Sequence, residues 1–166
     1  MKGIITAIAL LASSACIAQS PYTYTKNGSE VILNGIITKY ALMNDPVFSW
    51  YKTNQENFTG DKATLDAMAA SKGKVKYIVF GGTWCSDTQF ILPKFFKMQE
   101  QAGVPDSDVS FFAMDRSKKT IGHIGDALGI TNVPTIIVMK DGKELGRVVE
   151  YGTTGQWDKE LGTFIK

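Results

Sequence analysis

The chain has 166 residues, 44% of them hydrophobic, with two cysteines, one histidine and a formal net charge of +2. This length and apolar content suit one domain with a single sizeable core. The near-neutral balance excludes a polybasic nucleic-acid binder and an acidic disordered tail, and two cysteines exclude a disulfide-rich scaffold.

The chain opens with one basic residue, Lys2, ahead of a short apolar run over residues 4–12. A bilayer span needs about 20 apolar residues, and this run is shorter. Small residues follow, and Cys16-Ile17-Ala18 before Gln19 is a small-x-small cleavage site. The pattern predicts a signal peptide over residues 1–18, cleaved near Ala18–Gln19, and a periplasmic or secreted product. Lipidation at Cys16 is disfavoured, because Ser13 stands where a lipoprotein signal carries leucine. Cleavage also removes Cys16. Cys85 is then the lone cysteine in a compartment where most thiols pair.

Residues 19–60 read as an N-terminal extension packed on the core. Asn34-Gly35, between two apolar triplets, predicts a type I′ hairpin turn. Asp45-Pro46 reads as a helix start, with a capping side chain before proline at the first helical position. Phe48, Trp50 and Tyr51 form its bulky face, which one reading makes a docking surface.

From Asp61, a capping residue, the pattern sharpens into a domain over residues 61–166. Leu65, Met68 and Ala69 share a helical face, and residues 75–80 form an apolar strand closed by Gly81-Gly82. Ile91, Phe95 and Met98 make a helical stripe, with Leu92 and Phe96 beside it. Strands follow over residues 109–114, 135–139 and 144–149. A crossover over residues 121–128 precedes the second of these, and Asp141-Gly142 marks a hairpin before the third. Trp157, Leu161, Phe164 and Ile165 line a terminal helix. Alternation followed by a hairpin predicts an α/β/α sandwich with a mixed central sheet.

Cys85 falls between the first strand of this domain and the next helix, at the carboxyl edge of the sheet. The positive end of a helix dipole and free backbone N–H groups there favour thiolate over thiol. Thr88 can hydrogen-bond the sulfur from the first turn. Asp87 opposes ionisation as a nearby carboxylate, and with Ser86 it is a candidate modulator.

Trp84-Cys85-Ser86-Asp87-Thr88 resembles the active-site motif of the thioredoxin family, tryptophan followed by Cys-x-x-Cys. Four further features match in order: Pro93 in the following helix, Val133-Pro134-Thr135 at the cis-proline loop, Lys140-Asp141-Gly142-Lys143 at the hairpin, and Gly152 near the last helix. The resemblance covers roughly residues 61–166 and implies a thioredoxin-like fold. It also implies that Val133 and Pro134 form a substrate edge that pairs with extended peptides, with Trp84 as an apolar wall. Three positions depart from the family. The resolving cysteine is Thr88, the buried acid is Val79, and its lysine partner falls at about Phe111. Without a resolving thiol to deprotonate, a buried charged pair has no use and carries a desolvation cost.

A single thiol can attack a disulfide and form a mixed disulfide, but it cannot release the product alone. The expectation is an exported thioredoxin-like protein whose Cys85 forms mixed disulfides with protein or peptide thiols and disulfides. Isomerisation, deglutathionylation or trapping would then be open to it as a monothiol enzyme. No cofactor is expected beyond an external thiol such as glutathione, and neither nucleic acid nor a transmembrane segment enters the reading. The alternative is a non-enzymatic peptide- or protein-binding module with an inert Cys85. His123, the single histidine, reads as a solvated loop residue, and Ser117-Lys118-Lys119 as a solvated turn. No Cys/His cluster for zinc, phosphate loop or hydrolase nucleophile motif is present in the sequence.

Overall fold

A computed structural model describes residues 21–165; the expected signal peptide, with Cys16 and Ala18–Gln19, lies outside the described residues. Within them, six strands form one sheet: β1 (Tyr22–Asn27), β2 (Glu30–Ile37), β3 (Val75–Gly81), β4 (Val109–Ala113), β5 (Thr135–Lys140) and β6 (Lys143–Val149). Their order is β1-β2-β4-β3-β5-β6. β3 and β4 run parallel, and every other neighbouring pair is antiparallel. The helices are α1 (Lys39–Asn44), α2 (Trp50–Thr53), α3 (Lys62–Ala70), α4 (Ser86–Gln101), α5 (Ile124–Ala127) and α6 (Trp157–Phe164).

The two-residue period of a strand sorts the side chains of β3 between two cores. Tyr77 and Val79 share one core with Phe95 and Leu92 of α4, Met68 of α3 and Leu161 of α6. Ile78 and Phe80 belong to the other, with Phe112, Ile137, and Ile124 and Leu128 of the crossover. Strands buried on both faces carry near-continuous apolar runs, so these were the elements the sequence pattern could locate. The architecture is the expected α/β sandwich with a mixed central sheet. α4 supplies the largest share of the first core, burying Ile91, Leu92, Phe95, Phe96 and Met98. Pro93 sits inside α4, where its carbonyl accepts a hydrogen bond from Gln55 Nε2 at 2.8 Å.

The segment before residue 61 is continuous with this core. β2 pairs with β4 from Gly35 opposite Ala113 to Ile37 opposite Phe111. Asp45 caps a 3-10 turn at Pro46–Phe48, its carboxylate accepting from Val47 N at 3.0 Å. Lys39 of α1 is only 6% exposed, and its ammonium lies 2.9 Å from both Glu100 and Asp106. Burial opposes its charge, but the two carboxylates outweigh burial and raise its pKa.

Two expectations are corrected here. Asn34-Gly35 is not a turn: both residues lie inside β2, and the hairpin turns at Gly28-Ser29, where Gly28 has φ of 62°. Gly35 serves a close approach instead, because a Cβ there would stand 2.4 Å from the Pro21 carbonyl oxygen. The aromatic face around Phe48, Trp50 and Tyr51 is not an open docking surface. Phe48 and Tyr51 are buried, Trp50 is half-buried, and Tyr51 packs 6.4 Å from the Phe96 ring.

Asp108 fixes the entry to β3 and is 3% exposed. It accepts the Gly73 N–H at 2.9 Å and pairs with the Lys76 ammonium. Burial opposes its ionisation, yet Lys76 and Gly73 outweigh burial and hold its pKa below the ordinary carboxylate value. The stabilisation is therefore complete above the unfolded-state value of about 3.9 and is lost as pH falls through the lower folded-state value. Asp108→Asn should lower the urea midpoint at neutral pH, and its gap from the native protein should narrow below about pH 4. Phe95→Ala, in the centre of the first core, should cost about 3–5 kcal/mol in the same unfolding measurement.

Candidate functional site

β3 delivers the chain to the carboxyl edge of the sheet at Gly81. A Cβ at this position would stand 2.6 Å from Leu92 Cδ1, so glycine lets the strand exit beneath α4. Residues 82–85 then turn into the helix. Cys85 N donates to Gly82 O at 2.9 Å, and Gln89 Nε2 donates to Thr83 O at 2.8 Å. The first turn of α4 thus holds the loop that carries the thiol. Cys85 is the N-cap residue of α4, and its side chain makes no capping hydrogen bond.

The half-buried Cys85 Sγ instead donates to the Val133 carbonyl at 3.2 Å. Val133 and Pro134 are buried and joined by a cis peptide bond. Their loop is tied on both sides: Thr135 Oγ1 donates to Asn132 O at 2.7 Å, and Glu150 N donates to Pro134 O at 2.7 Å. Trp84 stands half-buried on the other side, its indole N–H donating to Met114 O at 2.9 Å. Sequence reasoning named Cys85, Trp84, Val133 and Pro134, and the fold brings all four together.

Thr88 is oriented differently from the expectation. It is 1% exposed, and its hydroxyl accepts the Gly82 N–H at 3.2 Å. Among the described residues no hydrogen bond joins it to the sulfur, so its observed work is to hold the turn. Ser86 is exposed at the start of α4. Asp87 accepts a hydrogen bond from Tyr151 Oη at 3.3 Å. Burial, followed by the Asp87 carboxylate, pushes the Tyr151 pKa above the ordinary tyrosine value. The Tyr151 ring also meets Phe90 at 6.0 Å, forming a partly exposed aromatic ledge on α4.

The positions of the missing charged pair are neighbours in the sheet. Val79 faces Phe111 in the β3–β4 register, and both are buried. The space is filled by apolar side chains. His123 lies on the exposed crossover with Asp126 Oδ2 3.4 Å away. Among the described residues no group of His, Cys, Asp and Glu could hold a metal, and no helix is long and apolar enough to cross a membrane.

Sequence reasoning missed Thr83, Arg116 and Tyr151. Thr83 Oγ1 donates to Val31 O at 2.8 Å and accepts from Leu33 N at 3.2 Å, so it bolts the loop to β2. The Arg116 guanidinium lies 5.3 Å from the Trp84 ring centroid. Only the adjacency of Thr83 to Trp84 offered a signal; the other two reach the site across the fold.

A family model described as Thioredoxin matches residues 39–157. Thioredoxin-2 of Saccharomyces cerevisiae is 32% identical over 84 residues, covering 51% of this chain and 75% of that protein. Thioredoxin H2-2 of Oryza sativa subsp. japonica is 30% identical over 83 residues, covering 50% of this chain and 58% of that protein. The solved structure of thioredoxin O1 from Arabidopsis thaliana, in its oxidized state, aligns with a TM-score of 0.41 at 22% identity. That alignment covers 66% of this chain and 96% of the other. The family match runs through β3, the Cys85 turn, α4 and the Val133–Pro134 loop, and the chain belongs to the thioredoxin family.

Proposed function

We propose that the protein is exported and that Cys85 exchanges with protein or peptide disulfides through a mixed disulfide that its own chain cannot resolve. The observation that carries this reading is the 3.2 Å contact between Cys85 Sγ and the Val133 carbonyl, which sets the thiol against the cis-proline loop. Cys85 is a free cysteine, and the position three residues on is threonine.

The chemistry balances as thiol–disulfide exchange. The Cys85 proton leaves to solvent, and its thiolate attacks one sulfur of the substrate disulfide. A Cys85–substrate S–S bond forms, the substrate S–S bond breaks, and the second substrate sulfur departs as a thiolate. A further thiolate, from the substrate or from an external small thiol, then attacks the mixed disulfide and returns Cys85 to its reduced form. Attack by the substrate's own thiol gives isomerisation with no net oxidation. Attack by an external thiol at the substrate sulfur frees Cys85 and leaves that sulfur in a mixed disulfide with the external thiol, which a second external thiol must displace to complete the reduction.

The same hydrogen bond also favours a second reading, in which the proton stays on Cys85 Sγ, donated to Val133 O, and the groove binds peptides without chemistry. Iodoacetamide alkylation separates the two. Native Cys85 should react at least as fast as the urea-unfolded chain, and a peptide disulfide should leave a Cys85 adduct visible by mass spectrometry. A thiol silent until unfolding would overturn the exchange reading and leave the binding one. Thr88→Cys should create dithiol reductase activity on insulin, while losing about 1 kcal/mol of stability with the Gly82 hydrogen bond. A stable Thr88→Cys protein without that activity would count against the site.

A further inference from the structure

β2 runs antiparallel to β4 and outlasts it. Their pairing ends at Gly35 opposite Ala113, the last residue of β4. Residues 30–34 therefore continue past the carboxyl edge of the sheet, alongside the loops that leave β3 and β4. They bind both loops. Thr83, immediately before Trp84, is bonded to Val31 and Leu33. Asp115, immediately before Arg116, accepts from Asn34 Nδ2 at 3.2 Å, and the same amide reaches Lys119 O at 3.0 Å. Glu30, at the start of β2, grips Arg116 through both carboxylate oxygens, from Nε at 3.3 Å and Nη2 at 2.5 Å.

Arg116 in turn lies over the Trp84 ring, whose opposite constraint is the indole hydrogen bond to Met114 O. A cleft of about 230 Å³ lies between Glu30 and Val31 of β2, Trp50, and Thr83 and Gln89. Residues 22–37 lie before the span matched by the family model. The β1–β2 hairpin thus lies outside the matched span, and it reaches the residues next to the thiol.

We propose that this hairpin braces the substrate wall. Glu30 and Arg116 are positioning residues that hold the Trp84 indole at the angle a polypeptide meets when its sulfur approaches Cys85. The proposal rests on the exchange reading for its kinetic consequence, but not for the placement of the indole. The choice of arginine is physical. A planar guanidinium can chelate a carboxylate and stack on an aromatic face at once, whereas a lysine ammonium cannot do both.

The test uses Glu30→Gln, Arg116→Ala and the charge swap Glu30→Arg with Arg116→Glu, all in the full chain. Glu30 and Arg116 are partly exposed, so the variants should keep native circular dichroism. Two quantities are read. The first is the ratio of the peptide-disulfide exchange rate to the iodoacetamide rate at Cys85. The second is the acrylamide quenching of Trp84, obtained as the difference between each protein and its Trp84→Phe counterpart. Both single variants should lower the rate ratio by about fivefold to tenfold and make Trp84 easier to quench. The swap restores an ion pair but puts a carboxylate over the ring, so it should not rescue either quantity. A tether with no role at Trp84 would be rescued by the swap, and that outcome overturns the proposal. Unchanged Trp84 quenching in Arg116→Ala overturns it as well. A native protein whose Cys85 never exchanges defeats the exchange reading alone, and the quenching result still decides the brace.

Discussion

β3 is covered on both of its faces. Tyr77 and Val79 lie under α4, and Phe80 lies against Phe112 and the crossover, so any slip in register would drive a side chain into the wrong core. That constraint fixes where the chain leaves the sheet, and the site follows from it. Gly81 passes beneath Leu92, four residues later Cys85 opens α4, and the sulfur arrives opposite Val133. β5 is registered against β3 from Val75 opposite Lys140 to Phe80 opposite Thr135, so the proline loop is set by the same strand. The two halves of the site, far apart in sequence, are neighbours because both hang on one buried strand.

The departures from the family at Thr88, Val79 and Phe111 form one physical pattern. In the family as the sequence motifs evoke it, a second thiol is assisted by a buried charged pair. Here the two register partners are both apolar, and the helix position is a buried hydroxyl that satisfies a backbone N–H. A buried carboxylate beside Phe111 would lack a partner, and an unpaired buried charge costs several kcal/mol, on the order of 3–5. Each replacement is locally satisfied. The turn keeps its geometry through Thr88, and the sheet keeps its packing through Val79 and Phe111.

The legible parts of this protein were those written in neighbouring residues. The apolar runs of β3, β4 and β5, the stripe along α4 and the Asp141-Gly142 turn depend on local period and local chemistry, and each stands where its residues point. Cys85 and Pro134 were legible through short motifs. Asn34-Gly35 misled because a turn dipeptide was read without its partner: Pro21, fourteen positions upstream of Gly35, approaches that glycine in three dimensions. Phe48 and Tyr51 misled in the opposite sense, since an aromatic face looks the same whether it meets solvent or Phe96. Arg116 and Tyr151 left no signal at all. Their roles exist only once loops after β4 and β6 are laid against the start of α4.

The hairpin also couples distant parts of the chain. Glu30 and Arg116 are separated by 86 positions, and Leu33 and Thr83 by 50, so these contacts close long loops rather than local ones. Ordering such long loops costs chain entropy that local contacts do not incur, and the hydrogen bonds and ion pair at their ends must offset it. The turn that carries Cys85 is thereby anchored from two directions, by α4 through Gln89 and by the hairpin through Thr83. A substitution in β2, about fifty positions before the thiol, can therefore loosen the same turn as one beside it.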